Sequence, residues 1–261
     1  MEQLLNWKTN HEPLSDFIWN RDAFSWSDSS YSVVVEEKIE AKFFLYGLIL
    51  WVIAISPKYI MDLTLTNYLS NYLRGFGDAV YVILAGLYVG LRTGLLESGL
   101  SYLIILKTKI KEVNLNQAIA VGIGFGSTEA LFLGFSSFMN VLVFLLYPDL
   151  INKIPESQRE VILQQLNQPS IVIPAPILER TFILVIHVFA ILLIFYAIRK
   201  ADIRYLVTSV LYKTVTDGSI PAFKTYLDLN IPQNIYLVEL YFGILALIGL
   251  LGIEKIMERW R

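Results

Sequence analysis

Apolar residues in this chain gather into six long runs, at 43–60, 78–106, 117–147, 177–198, 203–223 and 234–254, separated by shorter polar stretches. At 1.5 Å per residue each run crosses about 30 Å of hydrocarbon, the longer ones with tilt. The pattern predicts an all-α fold, a polytopic membrane bundle of about six transmembrane helices. The run at 78–106 is the ambiguous one, because Arg92 and Glu97 inside it are the kind of interruption that separates two short helices.

Loop charge decides the matter. With 78–106 kept whole, four, three, three and three Lys and Arg residues fall on the side of the two termini, thirteen in all. Two (Lys58 and Arg74), two (Lys153 and Arg159) and one (Lys224) fall opposite. Positive residues accumulate on the cytoplasmic side, so both termini are expected there. Residues 1–42 form a separate acidic cytoplasmic N-terminal arm, with eight acids against four bases. No basic segment precedes an apolar stretch in it, so no cleavable signal peptide is expected. Its Trp7, Trp19 and Trp26 read as local packing ahead of interfacial anchoring. The transmembrane domain is expected over 43–261, with an outer loop at 148–176 bounded by Pro148, Pro155, Pro169 and Pro174 and carrying a helical run from Glu156 to Leu166.

Composition narrows the chemistry. The chain is 55% hydrophobic and 17% charged, with a net charge of -2, so the lipid bilayer is a partner and nucleic acid is not. Zero cysteines and two histidines, His11 and His187, exclude thiolate chemistry and any site built on several imidazoles. A metal would need two or more carboxylates beside one membrane-depth histidine, so no cofactor is expected.

Ionisable groups at bilayer depth cost about 3 kcal/mol each on insertion scales, so each is a functional candidate or half of a structural pair. Counted from the cytoplasmic helix ends, Glu97 lies about 14 Å deep, Lys213 about 15 Å, His187 about 17 Å and Glu129 about 18 Å. Arg92 and Asp217 follow at about 21 Å, with Glu179, Arg180 and Glu239 nearer the outer surface. Small residues recur every four positions at Gly86, Gly90, Gly94 and Ser98, and again at Gly122, Gly126, Ala130 and Gly134, which lets helix backbones meet. Glu97 and Glu129 each border one of these seams. Two carboxylates and one imidazole in one layer suit water activation, with a glutamate as base and the histidine as the orienting or oxyanion-stabilising group. Lys213 either neutralises such a cluster or pairs with Asp217 at i+4. Glu179 and Arg180 read as a local pair, and Glu179, about 12 Å along the axis from His187, stands outside its site.

The segments Gly94-Leu95-Leu96-Glu97-Ser98-Gly99 and Gly122-Ile123-Gly124-Phe125-Gly126-Ser127-Thr128-Glu129-Ala130, then Glu179-Arg180 with His187, then Asp217-Gly218, resemble the YhfC-type intramembrane proteases, akin to the CAAX-processing and PrsW-type glutamic proteases. The resemblance spans roughly 86–218. It implies a helical peptidase of a prokaryotic cell membrane, with Glu97, Glu129 and His187 as catalytic groups and a membrane-embedded peptide or protein as substrate. Arg92, Lys213 and Asp217 would tune the charge. Ser98 and Ser101 depart from a second glutamate and an arginine, Phe125 from a histidine in the Gly-rich segment, and Lys213 from a further histidine. Three readings follow: an intramembrane peptidase, a catalytically silent relative serving as subunit or chaperone of a membrane complex, and, more weakly, an ion- or proton-coupled transporter.

Overall fold

The computed structural model describes residues 39–156, 159, 162–163 and 169–260. The N-terminal arm, apart from its last four residues, and most of the helical run expected at 156–166 lie outside the described residues. Seven helices carry the rest: α1 Ala41–Arg74, α2 Asp78–Lys107, α3 Leu115–Leu146, α4 Pro174–Lys200, α5 Ile203–Gly218, α6 Ile220–Tyr226 and α7 Pro232–Arg259.

Five of these elements are long and apolar enough to cross a membrane: α1, α2, α3, α4 with the turn before it, and α7. The segment expected to span at 203–223 behaves differently. It is split into α5, 16 residues, and α6, 7 residues, because the helix ends at Gly218 and Pro221 starts a new one. Its polar content also sets it apart. Ser209, Tyr212, Lys213 and Thr216 face inward, whereas Val207, Leu211 and Val215 face out. The run at 78–106 is one continuous helix, as loop charge required, but it passes through a π-helical segment at Gly94–Gly99.

Local chemistry fixes the boundaries. Asn114 and Gln117 form a reciprocal capping box at the start of α3, satisfying two N–H groups the first turn would leave unpaired. α1 tolerates Pro57 in its interior and continues through a π-helical segment at Asp62–Thr66, where the Thr64 and Thr66 hydroxyls donate to the Ile60 and Met61 carbonyls. The turn into α2 uses Gly77 at φ 90°, and the Arg74 guanidinium lies 4.2 Å from the Tyr81 ring centroid across it. Between α4 and α5, hydrogen bonds from the Arg204 side chain hold the Asp202 carboxyl below its ordinary value, while Asp202 caps α5.

α4 is the centre of the bundle. Every residue from Ile186 to Ala197 is buried, as expected of a helix apolar on all sides, and α3, α5 and α7 pack around it. The two small-residue seams serve different neighbours. Gly86, Gly90 and Gly94 lie against Gly218, Thr214 and Val210 of α5, whereas Gly122 and Gly126 lie against Val188, Leu184 and His187 of α4. On the opposite face of α3, Gly124 meets the backbone of Phe44, and Gly47 meets that of Val121. Gly134, the last member of the α3 seam, has open space around it.

A Cβ on Gly124 would sit 2.1 Å from the Phe44 carbonyl oxygen. Gly124→Val is expected to destabilise the bundle by about 1–3 kcal/mol, as overpacking does. Gly134→Val is expected to be neutral, and the midpoints of thermal unfolding in detergent compare the two.

Candidate active site

Five helices deliver charged groups to one level of the bundle. On α1 the buried positions Gly47, Leu50, Trp51, Ala54 and Lys58 follow helical spacing, so Lys58 ends an apolar stripe and points inward. On α2 the π-helical turn holds Gly94, Glu97 and Ser98 buried together; such single wide turns re-aim a side chain within an otherwise regular helix. α3 brings Glu129 one turn beyond Gly126, whose missing side chain leaves room for His187 of α4. α5 supplies Lys213 and Asp217.

The contacts form a chain. Lys58 Nζ donates to Glu97 Oε1 at 2.6 Å and lies 3.6 Å from Asp217 Oδ2. Lys213 Nζ is 2.9 Å from Glu97 Oε2 and 3.3 Å from His187 Nδ1. His187 Nε2 in turn lies 3.2 Å from Glu129 Oε2 without hydrogen-bond geometry, and that oxygen accepts from Trp51 Nε1 at 3.1 Å. Arg180 approaches Glu129 Oε1 at 3.4 Å while pairing with Glu179. An ammonium only donates, so His187 Nδ1 accepts and Nε2 carries the hydrogen. Phe125 packs on the imidazole at 5.0 Å between centroids. The side chains of Glu97, His187 and Lys213 are nearly sealed, whereas that of Glu129 keeps 18% exposure. The crevice between Glu97, Phe125, His187 and Lys213 has no volume accessible to a water molecule.

Glu97, Glu129, His187 and Lys213 thus meet as their shared depth required. Other expectations are corrected. Lys213 does not pair with Asp217; it turns to Glu97, and Asp217 instead accepts from Thr93 at 2.7 Å and faces Lys58. Arg92 stands apart from the cluster, donating to Asp62 and to Thr66 Oγ1. Arg180 keeps its partner Glu179 but its long side chain also reaches the site. Lys58 and Trp51 were not legible as site residues: Lys58 reads as an outer loop charge until α1 is known to continue to Arg74, although its position four residues after Ala54 places it on the buried stripe. At the departing positions, Ser98 accepts from Ser209 at 2.9 Å and Ser101 is fully buried.

Residues 32–242 match the YhfC intramembrane metalloprotease family. The chain belongs to that family. Among curated proteins and among solved structures nothing matches it. The match and the five apolar helices make this YhfC member an integral membrane protein of the intramembrane-peptidase type.

The family's name implies a metal, and the donor set here does not fit one. Catalytic zinc sites take three protein ligands that leave a position open. Among the described residues no group of three His, Asp or Glu side chains is arranged to hold an ion. The gap between Glu97 Oε2 and His187 Nδ1, 3.8 Å apart, is faced by the Lys213 ammonium, and Lys58 covers the other Glu97 oxygen. A divalent ion would have to displace those two charges from a dry site. Elemental analysis of the purified protein is expected to find only substoichiometric metal, unchanged by Glu129→Gln.

Breaking a buried ion pair by removing one partner costs about 3–5 kcal/mol, because the other charge is stranded. Glu97→Gln is therefore expected to be strongly destabilising, and the Glu97→Gln/Lys213→Met double variant to recover much of the loss. A double-mutant cycle on unfolding free energy measures this.

Proposed function

We propose that this YhfC protein hydrolyses a peptide bond of a membrane-embedded substrate, with Glu129 as general base. The carrying observation is the position of His187, whose Nδ1 faces an ammonium and whose Nε2 faces Glu129, a carboxylate more exposed than the sealed Glu97. In this reading Glu97 holds Lys213, Lys213 fixes the tautomer of His187, and His187 with Trp51 holds the Glu129 carboxylate in place. Water entering at Glu129 loses a proton to it and attacks the scissile carbonyl, and that proton passes to the leaving amine. Arg180, beside Glu129, offers positive charge to the oxyanion. In the proposed orientation α5 and α6 together make a sixth crossing beside the five apolar helices, which returns both termini to the cytoplasmic side, in the cell membrane of a prokaryote.

A second reading is a catalytically silent relative that keeps the scaffold and binds a membrane partner. It is favoured by the crevice beside Glu97, which has no room for water, and by the two ammonium groups that saturate Glu97.

Cleavage of transmembrane peptides by the protein in proteoliposomes separates the two. Hydrolysis predicts that Glu129→Gln and His187→Ala each lower the rate about 10²–10⁴-fold, with the double variant no worse than either. No cleavage by the unaltered protein supports the silent reading, and cleavage indifferent to both substitutions overturns the roles given to Glu129 and His187.

A further inference from the structure

A cavity of about 390 Å³ lies at the end of the bundle where α1 turns into α2, walled also by α5 and α6. Lys58 and Asp217 line it and also belong to the Glu97 cluster, so the cavity adjoins that cluster. Three cationic side chains line it, Lys58, Arg92 and Lys224, against two carboxylates, Asp62 and Asp217. Arg92 neutralises Asp62. Lys58 is shared between Glu97 and Asp217, but Glu97 also holds Lys213, so two ammonium groups balance those two carboxylates. Lys224 remains, exposed at the rim, as one positive charge in excess. Deeper in, the Arg92 side chain is only 8% exposed and its Nε has no hydrogen-bond partner. That Nε is itself enclosed by protein, and both hydrogen bonds of the guanidinium run from Nη1, to Asp62 and Thr66, so its Nη2 edge is the one with donors to offer.

We propose that this cavity binds a monovalent carboxylate, seated between Arg92 and Lys224 with its apolar remainder against side chains such as Ile55 and Leu69. One negative charge matches the single excess, and a planar carboxylate suits a guanidinium. A phosphate dianion would overshoot that charge and crowd Asp62 and Asp217. The volume falls within the range of small-ligand sites. Two sources share this chemistry, the C-terminus of a peptide and a short fatty acid. The site does not depend on hydrolysis at Glu129.

Calorimetric titration of the full chain in nanodiscs tests it with N-acetyl-leucine, hexanoate, the amide of each, and inorganic phosphate. At least one acid is expected to bind saturably and about tenfold or more tighter than its amide, the better acid identifying the source. Arg92→Gln is expected to weaken that acid about tenfold, and Lys224→Gln, at an exposed position that leaves the fold intact, to weaken it measurably. Equal binding of acid and amide, no binding of either acid, phosphate binding as tightly as the acids, or indifference to Lys224→Gln in a folded protein overturns the assignment.

Discussion

Glu97 sits between two ammonium groups, Lys58 Nζ and Lys213 Nζ, and the crevice on its Lys213 side has no space for water. The surrounding architecture follows from that arrangement. A carboxylate or an ammonium alone at this depth would lose several kcal/mol of hydration with nothing in return. Together they hold α1, α2 and α5 at one level, and through His187 they extend to α4 and α3. The glycine seams bring the backbones close enough for these side chains to reach one another, with α2 against α5 and α3 against α4. Small residues and buried charge are therefore one design. The close crossings would have less to hold together without the ion pairs, and the ion pairs could not form across wider crossings.

The cluster is also graded. Its Glu97 end is sealed and fully paired, and its Glu129 end is partly exposed and met by Trp51, Arg180 and His187. Such a gradient fits a centre that keeps its fixed charges in a dry interior and presents one carboxylate toward water. The positions that the resemblance singles out fall along the same gradient. Phe125 lies on the imidazole face, Ser98 bonds to Ser209, and Lys213 supplies positive charge next to His187.

Much of this was legible from residue positions because helices in a bilayer are regular. A rise of 1.5 Å per residue turns sequence distance into depth and puts Glu97, Glu129, His187 and Lys213 in one layer. The errors share a cause, which is that reach and helix length are tertiary properties. Lys58 reads as a loop marker because Pro57 and the polar residues after it look like the end of a span, yet α1 runs on through a π-helical segment to Arg74. Arg180 is seven residues from His187, but its side chain closes the distance to Glu129. The i+4 spacing of Lys213 and Asp217 predicts a pair that acceptors on other helices outcompete. The fifth apolar run is broken where Gly218 is pressed against Gly86, a contact no local pattern announces.

The composition of α5 has a consequence for biosynthesis. A 16-residue helix carrying Lys213 and Asp217 has little tendency to partition into lipid unaided. Its acceptor Glu97, its neighbour Thr93 and the glycine track of α2 are all made earlier in translation, as is Lys58. α5 thus packs against a polar wall made before it, and the Glu97 carboxylate acts as a docking point for a late-made segment.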